Sequence, residues 1–220
     1  ISQVILAGGR LVVGRTMDAC SQLFTYALDG SPIGEIPLQT LGTAIALDWS
    51  FSDEEFIYGF TSFVTPFRAY RHNLATGESV PFGVAHADVH SDSYVVKKEW
   101  ATSRDGTEVP LFIVHHKNVV LDGTNRTILY GYGGFNVPMS PTFSSVSLAW
   151  MEQGGIYVQA LLRGGGEYGE EWYKAGTLDR KQNVFDDFIS VAEHLFTRKY
   201  TSPAHLTIRG GSNGGLLVGA

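Results

Sequence analysis

Charge is scarce in this sequence. Asp, Glu, Lys and Arg make up 17% of the 220 residues, against about 25% in ordinary globular domains. Hydrophobic residues reach 44% and aromatics 12%, a balance that excludes intrinsic disorder, which needs high charge and few aromatics. Basic residues are few as well: 16 Lys plus Arg against 22 Asp plus Glu leave a formal charge of −6, and no segment gathers them into a stripe. Neither a nucleic acid nor an anionic membrane surface is expected as a partner. Cysteine occurs once, at Cys20, so no intrachain disulfide and no Cys/His zinc spacing can be drawn. No apolar run approaches the roughly 18 residues of a membrane-spanning helix. The opening ISQVILAGGR lacks the charged-then-apolar build of a signal peptide. The expectation is a cytoplasmic protein that uses neither a metal nor a cofactor.

What is present divides into two textures. Residues 1–86 read as short strands split by turns: VILAGG, RLVVGRT, QLFTYAL, GEIPL, AIALDW, EFIYGF, FRAYRHN and SVPF. The segment also repeats itself. Leu11-Val12-Val13-Gly14 matches Phe56-Ile57-Tyr58-Gly59 at an offset of 45, and Leu23-Phe24-Thr25-Tyr26 matches Phe67-Arg68-Ala69-Tyr70 at 44. A period of about 40–50 residues with about four strands per unit is the signature of a β-propeller blade. Two blades cannot close a ring, so further blades are expected upstream of Ile1. The ending LLVGA, directly after a glycine-rich motif, sets the same expectation of continuation at the other end.

From residue 87 onward the expectation is the first part of an α/β domain with a mostly parallel sheet. A hairpin, YVVKKEWATS and VPLFIVHHK, turns at Arg104-Asp105-Gly106-Thr107. Strands TILYGY, IYVQALLR and HLTIRGG then alternate with helices around residues 142–153 and 183–198. In the second helix Phe185, Phe188, Ile189, Ala192 and Leu195 share one face by spacing, which leaves Asp186, Asp187, Glu193 and Arg198 pointing outward. Lys199 closes it and Ser202-Pro203 marks the stop.

Gly210-Gly211-Ser212-Asn213-Gly214-Gly215 lies between the strand LTIR and the apolar run LLVGA. A G-x-S-x-G in strand-turn-helix context is a nucleophile elbow: Gly210 and Gly214 flank Ser212 because the turn is strained and its backbones pack without room for a Cβ. The Asn213 amide, at the start of the following helix, can point at a developing oxyanion. No Lys stands in the Walker position and no G-x-G-x-x-G occurs here. A second cluster, Tyr130-Gly131-Tyr132-Gly133-Gly134-Phe135, ends an apolar strand and reads equally as an oxyanion loop or as a loop whose aromatics cover the core. In a third, Arg163-Gly164-Gly165-Gly166-Glu167-Tyr168-Gly169, a structural role is expected, with Arg163 and Glu167 able to pair internally.

Taken in order, YGYGGF, LLRGGGEYG, KQNVFDDF and GGSNGG resemble the prolyl oligopeptidase family of serine peptidases. The resemblance is close over residues 87–220 and consistent with the last one or two blades of that family's propeller before them. It implies that Ser212 forms the acyl-enzyme, that the Tyr132 hydroxyl and the Asn213 amide donate to the oxyanion, and that Phe135 lines a proline pocket. The implied substrates are short proline-containing peptides cut on the carboxyl side of proline by a monomeric enzyme, with the propeller acting as a filter.

The other triad members are missing from the sequence. α/β-Hydrolases carry nucleophile, acid and histidine in that chain order, yet only eight residues follow Ser212 and none is Asp or His. The seven histidines all precede it, at 72, 86, 90, 115, 116, 194 and 205, and read as structural or solvated. Adjacent strand residues point to opposite faces, so His115-His116 is a poor metal pair. The triad Asp and His are expected downstream, and these 220 residues alone are expected to be inactive. Two alternatives stay open: a non-catalytic propeller-hydrolase scaffold, and a relative that passes the acyl group to an amine, as a transpeptidase or macrocyclase.

Overall fold

The computed structural model describes residues 1–83 and 89–220. The boundary expected near Ala87, and His86, lie outside the described residues. The chain forms two compact units, one of Ile1–Ser91 with Ser140–Ser144 and one of Asp92–Met139 with Ser145–Ala220.

The first unit holds two four-stranded antiparallel meanders. Strands β1 (Gln3–Ala7), β2 (Arg10–Met17), β3 (Cys20–Tyr26) and β4 (Pro32–Ile36) make one sheet. Strands β5 (Thr43–Trp49), β6 (Glu55–Thr61), β7 (Arg68–Asn73) and β8 (Ser79–Phe82) make the other. The sequence repeat matches β2 to β6 and β3 to β7, the second and third strands of each sheet, though its register is out of phase with burial: Val12 and Leu23 are buried, whereas the residues matched to them, Ile57 and Phe67, are not. Alternation places Val12, Leu23, Phe56, Tyr58 and Phe60 in one shared core with Ile5 and Tyr70. There Tyr58 and Tyr70 stack at 5.4 Å between ring centroids. Backbone polar groups between the sheets find partners, with Ala46 N donating to Gln3 Oε1 at 2.9 Å and Ala44 N to Ser21 Oγ at 3.0 Å. These two sheets are blades of a β-propeller.

The second unit is built on a five-stranded sheet in the order β13-β11-β12-β10-β9. Here β9 is Tyr94–Thr102, β10 Glu108–His116, β11 Thr127–Tyr130, β12 Ile156–Ala160 and β13 Leu206–Arg209. β9 and β10 form the expected hairpin, its turn made possible by Gly106 at φ 86°, and β10 continues antiparallel onto β12. The strands joined by helical crossovers, β12, β11 and β13, are parallel to one another. Four helices accompany the sheet: α1 (Ser145–Glu152), α2 (Glu170–Lys174), α3 (Gln182–Thr197) and α4 (Asn213–Gly219). Lys199 at φ 59° ends α3, with Tyr200 N bonded back to Leu195 O. α1 starts three residues later than expected because 140–144 belongs to the first unit, where Thr43 Oγ1 bonds Pro141 O at 2.8 Å.

The buried face of α3 differs from the expected one. Val184, Asp187, Phe188, Ser190, Val191 and Leu195 are buried, whereas Ile189 is exposed. Asp187, expected outward, has no exposed surface at all. The stripe is rotated because a carboxylate with strong partners displaces an aliphatic residue from the interior, a choice that hydrophobic spacing cannot register.

Candidate active site

The topology brings two loops together. β11 leads to β12 on one side, and the chain returns to β13 on the other side of β11. The turns after β11 and β13 therefore meet at the carboxyl edge, where open α/β sheets bind ligands. The turn after β13 carries Ser212 at φ 55° and ψ −117°, a conformation that costs a non-glycine residue about 1–3 kcal/mol. Ser212 is exposed, and its hydroxyl has no hydrogen-bonding partner among the described residues. Gly214 N and Gly215 N bond back to Gly211 O and Ser212 O, both at 2.8 Å, and start α4.

Space explains the glycines. A Cβ on Gly210 would run into the carbonyl of Gly214, and one on Gly214 would stand 2.5 Å from Gly131 O. The elbow thus packs backbone against backbone, both on itself and on the loop after β11. That loop, Gly131–Asn136, is fitted as closely: a Cβ on Gly134 would overlap the Asn213 side chain, and one on Gly133 the Val184 side chain. Asn213 Nδ2 donates to Tyr132 O at 2.6 Å. Lys181 Nζ donates to Gly133 O at 2.8 Å and to Asn213 Oδ1 at 3.4 Å. Phe135 and Asn136 both adopt positive φ, 55° and 57°, and the Phe135 ring is 74% exposed beside the turn.

The third glycine cluster supports this loop. Arg163 does not pair with Glu167. Its guanidinium, 5% exposed, binds Asp187 through Nε at 2.9 Å and Nη2 at 2.6 Å, and reaches Asp105 through Nη1. Ser103 Oγ donates to the same Asp187 at 2.7 Å. Hydrogen bonding from Arg163 holds the Asp105 carboxyl down to about 2, and the same carboxylates raise Arg163 above its usual range against its burial. The pairing expected within the cluster fails because Glu167 turns to the other loop, accepting from Met139 N at 2.8 Å. Its Oε2 is buried without a partner, and burial pushes this carboxyl up.

No described histidine hydrogen-bonds to Ser212. His72 is buried in the first unit on Ser79 Oγ, His115 bonds the carbonyl of His116, and His194 Nε2 meets Glu99 Oε2 at 2.9 Å. Among the described residues no group of three His, Cys, Asp or Glu side chains is placed to hold a metal.

Comparison with known proteins fixes the family. The "Prolyl oligopeptidase, N-terminal beta-propeller domain" model matches residues 1–84, and the "Prolyl oligopeptidase family" model matches residues 141–220. The chain belongs to the prolyl oligopeptidase family. A prolyl endopeptidase of Elizabethkingia miricola is 41% identical over 97% of this chain. A dual function macrocyclase-peptidase of Galerina marginata is 35% identical over 90% of it. Among solved structures, apo prolyl oligopeptidase B from Galerina marginata aligns with a TM-score of 0.90 at 33% identity over 99% of this chain. The chain spans 30% of the Elizabethkingia relative, 28% of the macrocyclase-peptidase and 32% of the solved chain.

Within this prolyl oligopeptidase framework the structure brings Ser212, Asn213, Gly210 and Gly214 together with the backbone of Tyr132, Gly133 and Gly134. Arg163 and Glu167 lie one layer behind. Sequence reasoning missed Lys181, Asp187, Asp105 and Ser103. For Asp187 the sequence carried no clear signal, because Glu167, four residues after Arg163, offered a nearer carboxylate.

Proposed function

We propose that the whole protein is a serine endopeptidase that cleaves short peptides on the carboxyl side of proline through an acyl-enzyme on Ser212. The observation that carries this reading is the strained, exposed Ser212 on a strand-turn-helix elbow whose flanking glycines have no room for a Cβ. In this mechanism Ser212 Oγ attacks the carbonyl carbon of the proline itself, and its proton passes to a histidine oriented by an aspartate, both supplied from outside these 220 residues. The Asn213 amide and the Tyr132 hydroxyl donate to the oxyanion of the tetrahedral intermediate, and the exposed Phe135 ring offers an apolar wall for proline. Each donor lowers the barrier by about 3–4 kcal/mol. Collapse expels the amine with the proton held by histidine, and water then releases the acyl group. We assign residues 1–86 to the end of the propeller and 87–220 to the start of the catalytic domain. The protein is read as a cytoplasmic monomer with neither nucleic acid nor membrane as partner, a reading that its net charge of −6 supports for the nucleic acid.

Fluorophosphonate labelling of the full-length protein, with peptide mapping, tests the reading. Modification at Ser212, lost in Ser212→Ala, together with cleavage after proline supports it. A folded, unlabelled protein points to a binding scaffold instead. The likeness to a dual function macrocyclase-peptidase makes acyl transfer to an amine the second reading; mass spectrometry separates cyclic from linear products.

A further inference from the structure

Lys181 is anomalous in its place. It stands immediately before α3 with helical dihedral angles, φ −60° and ψ −27°, and the N-terminal end of a helix disfavours a cation. It is half-buried, burial pulls its ammonium below the usual lysine range, and among the described residues no carboxylate pairs with it. A lysine kept against both effects needs compensating contacts. Those it has lie at the elbow: Gly133 O at 2.8 Å and Asn213 Oδ1 at 3.4 Å.

The contacts form one strut. The Asn213 amide has an acceptor oxygen and a donor nitrogen, and the two ends are occupied from opposite sides. Oδ1 receives the Lys181 ammonium, and Nδ2 donates to Tyr132 O at 2.6 Å. The ammonium fixes which way the amide faces, since a reversed amide would aim its N–H groups at the cation and its oxygen at the Tyr132 carbonyl. The same ammonium grips the next carbonyl, Gly133 O. Lys181 therefore ties two consecutive carbonyls of the loop after β11, one directly and one through Asn213, to the first residue of α4. These are the residues that carry the two proposed oxyanion donors.

We propose that Lys181 is a positioning residue of the oxyanion hole, setting the distance between the Tyr132 hydroxyl and the Asn213 amide through the Asn213 side chain and the Gly133 carbonyl. The inference rests on the serine-peptidase reading above. A misplacement of about 1 Å in such a site costs on the order of 100-fold in rate, and a donor that acts only in the transition state lowers kcat and not binding.

The test uses the full-length enzyme and a chromogenic proline peptide, with Lys181→Met keeping the aliphatic stem. The expected result is a kcat lowered by about 10- to 100-fold, with KM within about twofold of wild type. In a Tyr132→Phe background, where one donor is already absent, the same substitution should cost less than about threefold, because coupled residues are non-additive. An unchanged kcat, a change confined to KM, or the full loss repeated in the Tyr132→Phe background would each overturn the inference while leaving the peptidase reading intact. A wild-type protein that neither cleaves nor takes up fluorophosphonate would overturn both. If Lys181→Met fails to fold, Lys181→Gln, which keeps an N–H for Gly133 O and loses the charge, carries the same comparison.

Discussion

Replacing Asp187 by alanine should destabilise the catalytic unit by about 3–5 kcal/mol, the usual cost of removing one partner from a buried ion pair. The structure supports the upper part of this range. Asp187 is fully buried and accepts from Arg163 Nε at 2.9 and 3.2 Å, from Nη2 at 2.6 Å, from the Arg163 amide at 3.2 Å and from Ser103 Oγ at 2.7 Å. Without it, a guanidinium whose side chain is 5% exposed retains as its counter-charge Asp105, whose side chain is 46% exposed, with the neutral Ser103 Oγ at 3.3 Å beside it. Arg163→Met should cost a similar amount, because it leaves a buried carboxylate with no cation and only the neutral donors Ser103 Oγ and the backbone amide of residue 163. In urea unfolding of the full-length protein followed by tryptophan fluorescence, with a slope of about 3 kcal/mol/M, each substitution should lower the midpoint by about 1–1.7 M. The double variant Arg163→Met/Asp187→Leu should cost no more than one of the singles, since removing both charges leaves nothing uncompensated. Singles costing less than about 1 kcal/mol, or a double equal to their sum, would refute the reasoning.

Three further outcomes are expected. Gly210→Ala and Gly214→Ala each place a Cβ against backbone carbonyls, so both should abolish fluorophosphonate labelling of Ser212 even where circular dichroism is preserved; normal labelling would remove the steric account of the elbow. Tyr132→Phe should lower kcat by about 100- to 1000-fold with little change in KM, and a loss confined to KM would assign the ring to binding instead. Glu167 is held above the ordinary carboxyl range by burial, so the folded protein binds its proton more tightly than the unfolded chain. Its favourable contribution is present below about 4.3 and is lost as pH rises through the raised value. The melting temperature of wild type relative to Glu167→Gln should therefore fall between pH 4 and pH 7; a difference that does not change with pH would contradict this.

Much of the molecule was readable before any coordinates because its constraints are local or periodic. The offset of 44–45 residues marks strands that occupy the same position in successive blades, and the G-x-S-x-G lies where strand and helix patterns meet. The glycines at 210 and 214 are legible because steric demand admits one residue type. What stayed hidden depends on partners distant in the chain. Asp187 looks like a surface residue until Arg163, 24 positions earlier, and Ser103, 84 earlier, arrive beside it. Lys181 looks like ordinary helix-start polarity until Gly133 and Asn213 fold onto it. α2, with five residues, is too short to show a period.

The strain at Ser212 has an evolutionary side. Its φ of 55° and ψ of −117° are tolerated easily only by glycine, so Ser212→Gly would relax the elbow while ending catalysis, and the inactive protein would be the more stable one. On the serine-peptidase reading, a single substitution would thus exchange the nucleophile for relief of backbone strain. The surrounding glycines, held by space and not by chemistry, would survive the change, leaving a sequence that still carries the outline of an elbow around a missing hydroxyl.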